Sequence, residues 1–246
     1  MESFYIELFD GNPRFGPGSN ESTQKAYSFI KDLPSKPIIL DIGCGSGMQT
    51  IELAKISKGK IYAIDIFQEY LDALKENAEK EEILDQIEII KMSMDDMDFK
   101  PEFFDIIWAE GSIFIIGFEN GLIQWKKFLK NNGYLVVSEL IWFKDDPPEE
   151  LREFFNAEYP PMKNNEENIK ICEKSGYKVV NSFNSPETDW WEHFYTPLEK
   201  RLKILREKHE NDSNFLQFLG SMQEEIGYYR KYSDYYGYAF YILQNY

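Results

Sequence analysis

Residues 40–50 read LDIGCGSGMQT, a short apolar run that breaks into glycines at alternate positions, Gly43, Gly45 and Gly47. Glycine is the residue that takes left-handed backbone at no steric cost. A glycine turn directly behind a strand therefore marks a place where a ligand comes close to the main chain. The stretch obliges the chain to build strand, tight turn and helix in that order, with a ligand site at the turn.

The surrounding pattern supplies the sheet such a turn belongs to. Strand runs are expected at Ile38–Ile42, Ile61–Asp65, Ile87–Lys91, Phe104–Ala109 and Tyr134–Glu139, with helical stretches near 47–57, 68–82 and 119–131. Short apolar strands separated by amphipathic helices indicate an α/β domain, a parallel sheet covered on both faces. The turn Lys130-Asn131-Asn132-Gly133 is expected to end the third of these helices. Upstream, a helix over about 19–32 has Ser19 as its N-cap, with Glu21 in the first turn. The preceding NPRFGPGS loop reads equally as a free arm or as a flap over the ligand site. After Glu139 the rhythm changes: a Pro-broken acidic excursion precedes a helix (166–175) and a strand (177–183). A mostly helical stretch (184–236) then leads to a last strand, 238–243. Phe215, Phe218, Leu219, Met222 and Ile226 form one stripe there, as core packing requires.

Composition narrows the ligand. A net charge of −16 disfavours nucleic acid, whose binding rests on clustered Lys and Arg, and equally disfavours an anionic membrane surface. No apolar run approaches the ~20 residues of a membrane span. The first residues lack the layout of a signal peptide. Two cysteines, Cys44 and Cys172, give no disulfide framework, which suits a reducing cytoplasm. A small molecule is the expected partner. Nineteen Phe, sixteen Tyr and five Trp exceed what a nucleotide-binding core needs, leaving aromatics to line a pocket for an apolar or cationic substrate.

A dinucleotide fingerprint reads G-x-G-x-x-G, and counted from Gly43 its third glycine falls on Met48. What stands here is Asp41-x-Gly43-x-Gly45-x-Gly47. Asp65 closes the second strand, where an acid can take both ribose hydroxyls. KMSMDDMDF follows the third strand, FFDIIWAEG forms the fourth, and LKNNGYLVVSE leads into the fifth. In that order these segments resemble class I S-adenosylmethionine-dependent methyltransferases, strongly over about 35–140. The chain is most similar to the small-molecule branch related to the ubiquinone/menaquinone-biosynthesis enzymes. The resemblance implies a three-layer α/β/α Rossmann-like methyltransferase fold with seven strands, mostly parallel, and an antiparallel last strand. Residues 1–34 would form an arm and helix over the cofactor site, and 35–246 the catalytic domain, with lid insertions at about 143–165 and 184–236. It further implies S-adenosylmethionine contacts from Asp41, Gly43, Gly45, Gly47 and Asp65, and then from Ser93, Met94, Asp95 and Glu110. The product would be S-adenosylhomocysteine.

Methyl transfer from a sulfonium is an in-line displacement with a good leaving group. Alignment and exclusion of water matter more than a catalytic triad, and a base is needed only for a protonated acceptor. In DWWEHFYTP, His193 is the candidate base, while Trp190, Trp191 and Tyr195 are candidates for an acceptor wall. Arg14 reads as a salt-bridge partner or a carboxylate ligand, and Cys44 as a packing residue. With two distant histidines, no metal site is expected. The expected protein is a monomer or homodimer. Two rival readings stand beside this one: an NAD(P)-dependent oxidoreductase, and a non-catalytic cofactor-binding protein with the same fold.

Overall fold

The computed structural model describes residues 2–246. Four strands fall on the expected runs: β1 (Ile38–Ile42), β2 (Lys60–Asp65), β3 (Ile87–Lys91) and β4 (Phe104–Ala109). β5 (Leu129–Trp142) follows β4, and β7 (Tyr177–Asn184) and β8 (Tyr236–Asn245) complete the sheet. The order is β3-β2-β1-β4-β5-β8-β7, and β8 runs antiparallel to both its neighbours. These are the seven mostly parallel strands expected, with the last one reversed. A two-residue eighth strand, β6 (Lys163–Asn164), adds to the far end of β5 at Ile141–Trp142.

Alternate residues of each strand serve opposite faces. Ile39, Trp108, Val136 and Phe240 pack beneath α2 (Asn20–Ser28), α3 (Met48–Ser57) and α4 (Gln68–Lys80). Leu40, Ile107, Leu135 and Tyr241 pack against α5 (Phe118–Lys126) and α7 (Asn165–Lys174). The Rossmann-like three-layer arrangement follows from that alternation.

A third core lies beyond the sheet. It joins α1 (Glu2–Phe9), α6 (Glu149–Glu158), α8 (Glu187–Trp190), α9 (Thr196–Lys208) and α10 (Ser213–Tyr232) around Leu8, Phe155, Leu198, Phe215 and Tyr229. A π-turn at 191–195 links α8 to α9. On α10, Phe215, Leu219 and Ile226 are buried and Phe218 and Met222 half-buried, so the stripe is core packing. His209 is not free in solvent: its Nε2 lies 2.9 Å from Glu7 Oε1 and its ring 4.3 Å from Phe215.

Both the fifth and the last strand are longer than the expected 134–139 and 238–243, and three helix ends fall short by two residues or more. α2 is capped by Ser19 as expected, its Oγ accepting from Ser22 N–H at 3.1 Å, but stops at Ser28, after which Phe29 and Ile30 bond back only three residues. α4 closes at Lys80, short of the expected 82. α5 ends at Lys126, and Lys130–Gly133 lies inside β5 instead of ending a helix. Leu129 already pairs with Phe104, and the register then shifts before Ile106 pairs with Tyr134. Asn132 at φ 62° takes up that irregularity.

Candidate functional site

The turn after β1 holds three left-handed glycines, at φ 71°, 53° and 89° for Gly43, Gly45 and Gly47. Gly43 and Cys44 donate to Ile64 O at 2.9 and 3.0 Å, which clips the turn to the end of β2. Gly45 N–H donates to Asp65 Oδ2 at 3.0 Å and Phe67 N–H to Asp65 Oδ1 at 3.1 Å. A Cβ on Gly43 would sit 2.7 Å from Ser112 Cβ, and one on Gly45 would sit 3.0 Å from Phe15. The backbone therefore passes between the arm and the end of β4 with no room to spare.

Above this turn, at the carboxyl ends of β1, β2 and β4, opens a cleft of about 330 Å³. Its lining includes Gly43, Gly45, Asp65, Ser93, Met94, Asp95 and Glu110, which the fold brings together from four separate loops. Ser93 Oγ donates to Asp95, and Trp125 Nε1 donates to Met94 O at 3.1 Å, so the β3 loop is held on both sides. The arm forms the roof: Pro13 to Pro17 line the cleft, with the Phe15 ring 4.2 Å from that of Tyr70.

Two residues expected at the ligand stand behind it. Asp41 is fully buried below the turn, its Oδ2 accepting from Thr50 Oγ1 at 2.5 Å and its Oδ1 without a partner. Gly47 does not border the cleft; a Cβ there would lie 2.0 Å from Leu74 Cδ1, so its bareness admits α4 and not a ligand. Burial pushes the Asp41 carboxyl up to about 7, with the Glu110 and Asp65 charges adding to it against the Thr50 hydrogen bond. Asp65 is raised too, chiefly by burial, while the amides of Phe67 and Gly45 pull the other way. Burial pushes the Cys44 thiol well up, which makes it a packing residue and not a nucleophile.

Glu110 is the most heavily bonded group of the cleft. It accepts from Thr23 Oγ1 at 2.6 Å, Trp108 Nε1 at 2.9 Å and Arg14 Nη1 at 3.0 Å, the last a buried ion pair. The same Arg14 keeps a buried Nε with no partner. The polar lining of the cleft is thus three carboxylates (Asp65, Asp95 and Glu110), backbone amides and one guanidinium. That set fits an amino acid's ammonium and carboxylate beside a ribose diol. A pyrophosphate suits it less well, for three carboxylates line the cleft and its one guanidinium, Arg14, already answers to Glu110.

The acceptor-side candidates lie elsewhere. Trp190 stacks on Tyr229 at 4.1 Å, and Tyr195 is fully buried and donates to Glu225 Oε1 at 2.8 Å. Trp191 packs under the Arg230 guanidinium, 5.0 Å away, and His193 sits half-buried on the π-turn. None of the four lines the cleft; the helical core claims the three aromatics first. Sequence reasoning missed Phe15, Phe67, Tyr70 and Ser112, which do line it. Their one signal was closeness in sequence to the glycine turn, Asp65 or Glu110. Among the described residues, no three His, Cys, Asp or Glu converge as metal ligands. No helix among them is long and apolar enough to cross a membrane.

Comparison with known proteins agrees with this geometry. The curated relatives it matches include ribosomal protein L11 methyltransferase of Thermoanaerobacter pseudethanolicus, 27% identical over 163 residues, 63% of this chain and 49% of that protein. The chain thus spans about half the length of that relative. A methyltransferase of Geobacter sulfurreducens, solved with S-adenosylhomocysteine, superposes with a TM-score of 0.87 at 17% identity, covering 100% of this chain and 99% of its own. One from Thiobacillus denitrificans, also with S-adenosylhomocysteine, gives 0.86 at 19%, covering 100% and 99%. Residues 39–133 match the methyltransferase domain family, and over its whole length the chain has the fold of the S-adenosylmethionine-dependent methyltransferases.

Proposed function

We propose that this protein is a class I S-adenosylmethionine-dependent methyltransferase acting on a small molecule. One observation carries the reading: Gly43, Gly45, Asp65, Glu110 and the β3 loop converge on a single cleft whose polar lining suits an amino acid and a ribose better than a phosphate. Asp65 takes the ribose hydroxyls; its oxygens, each accepting one amide, keep lone pairs free for them. Ser93, Met94 and Asp95 flank the adenine. Glu110 and the unpartnered Nε of Arg14 serve the ammonium and carboxylate of the methionine part. Asp41 acts from below, tying the turn to α3 through Thr50. S-adenosylmethionine, when bound, supplies a methyl group activated on a sulfonium. The chain's own part is to align an acceptor and exclude water, which the arm over the cleft is placed to do. A small acceptor is favoured over a protein side chain because α6 and α8–α10 pack as a helical layer beyond the sheet, a closed core in place of an open groove. The resemblance to the ubiquinone/menaquinone-biosynthesis branch points the same way.

Calorimetric titration tests this directly. S-adenosylmethionine and S-adenosylhomocysteine should bind and NADH should not. Asp65→Ala should weaken both by about 10- to 100-fold, the weight of hydrogen bonds to a charged group. Binding of NADH alone would put the oxidoreductase first. Sulfur-nucleotide binding with no S-adenosylhomocysteine formed from any acceptor would leave a non-catalytic binder.

A further inference from the structure

Beyond the end of β4 the sheet has a notch. On the edge of β5 that faces β4, pairing stops at Val137 and resumes with β6 at Ile141. Gly111 crosses this notch, its N–H donating to Ser138 Oγ at 2.7 Å. The next residue, Glu139, is 2% exposed. Its Oε1 accepts from the Tyr159 hydroxyl, and its Oε2 has no partner. A carboxylate so deeply buried, bonded to one phenol only, is costly unless something answers it. Among the described residues no Lys, Arg or His pairs with it.

Aromatic groups flank the notch from both faces of the sheet, Tyr159 on the Glu139 side and Tyr238, which shares the face of Leu140, on the other. Tyr238 brings its hydroxyl within 3.8 Å of where a Cβ on Gly111 would stand, and its ring lies 5.5 Å from that of Trp190. Phe114 sits edge-on to Tyr159 at 6.0 Å. The Trp190 indole N–H and the Tyr236 hydroxyl are both buried and unpartnered. A second carboxylate, Glu225, bonds only to Tyr195 and likewise has no cationic partner among the described residues. Burial raises both carboxyls, Glu139 to about 8, so in the empty fold each favours its protonated form, and an ammonium beside it would favour the ionised one.

We infer that the acceptor side of the cleft, from Gly111 to Glu139 and Tyr238, is a binding site for a small organic cation, an amine that enters as its ammonium. This inference rests on the methyltransferase reading, because it takes the cleft beside Gly111 to be the cofactor's. Glu139 faces the ammonium as the unanswered carboxylate, and the Tyr238 and Tyr159 rings supply the faces that attract a cation. A neutral alcohol of the same shape offers Glu139 a single hydrogen bond and no charge, and a carboxylate would have to meet a carboxyl that cannot ionise beside it.

The test is calorimetry on protein saturated with S-adenosylhomocysteine, with two matched probe pairs: 2-phenylethylamine against 2-phenylethanol, and ethanolamine against ethylene glycol. At least one amine should bind ten-fold or more tightly than its alcohol. Glu139→Gln should lose most of that preference and leave S-adenosylhomocysteine affinity unchanged. Glu225→Gln, read the same way, should lower amine affinity less, and it keeps the test open if Glu139→Gln fails to fold. Equal binding of amines and alcohols, binding of neither, or an amine preference indifferent to both substitutions would overturn the inference while the cofactor reading stands. Failure of S-adenosylhomocysteine to bind at all would remove both.

Discussion

A methyl group on residue 47 has nowhere to go: its carbon would lie 2.0 Å from Leu74 Cδ1, on backbone already at φ 89°. Left-handed strain in a non-glycine residue and overpacking each cost about 1–3 kcal/mol, so Gly47→Ala should destabilise the protein by roughly 2–5 kcal/mol. Urea unfolding checks the size. A double-mutant cycle with Leu74→Ala should return a coupling of at least about 1 kcal/mol, because the two changes share one clash. S-adenosylhomocysteine affinity of the folded fraction should stay near that of the parent, since Gly47 does not border the cleft. The alternate glycines thus divide their work, two toward the cleft and one toward α4, and spacing alone does not reveal the division. Asp41 carries the same lesson: its place in the pattern was plain, but only the fold shows it bonded to Thr50 beneath the turn.

Among the elements, β1 to β4 were legible because each is a short apolar run closed by polar residues, and a buried parallel strand needs no more. α1 was not, because eight residues carry too little periodicity to stand out from the arm that follows. Its partners, Phe215 and Phe218 beside Phe4, lie more than 200 residues away. The wall expected from Trp190, Trp191 and Tyr195 was misplaced for a like reason: an aromatic stretch signals burial, and the helical core claimed it. The arm between α1 and α2 is moored at both ends. Arg201 donates to Glu7 O at 2.8 Å, and Ser22 Oγ donates to Asp189 at 2.6 Å. Its middle rests on Phe15 against Tyr70 and Gly45, and on the Arg14–Glu110 pair. Such a strap closes over a bound ligand more tightly than over an empty cleft. Hydrogen exchange should show amides 11–18 protected on adding S-adenosylhomocysteine. Phe15→Ala should speed dissociation of that ligand about ten-fold in stopped flow, with a smaller effect on its association, because the lost contact acts after docking.

At the scale of the whole molecule, 43 acidic against 27 basic residues make charge itself a term in stability. Several carboxyls inside the fold are raised by burial: Asp41 to about 7, Glu139 to about 8, and Asp65 and Glu225 in the same direction. For such groups the folded chain holds protons that the unfolded chain has released. Their contribution is therefore complete below the unfolded values near pH 4 and is lost as pH rises through about 7 and 8. Asp41 and Glu139 are each worth on the order of a few kcal/mol across that window. Glu7 has the opposite sign, lowered by its hydrogen bonds to Lys208 and His209, and loses its contribution as pH falls through its folded value. The ligand-free protein should accordingly be most stable near pH 5, with a melting temperature that falls steadily towards pH 8.5. A protein whose stability came from surface ion pairs alone would hold level over that range. Glu139→Gln removes the upper part of the slope, since an amide has no proton to lose, and its melting curve should cross that of the parent at alkaline pH. An ammonium bound at Glu139 should do the same from outside, by favouring the ionised carboxylate that the empty fold penalises. Calorimetric melting of parent and Glu139→Gln at half-unit steps from pH 4.5 to 8.5 measures both. A parallel slope in the two proteins would show that the burial penalty lies elsewhere.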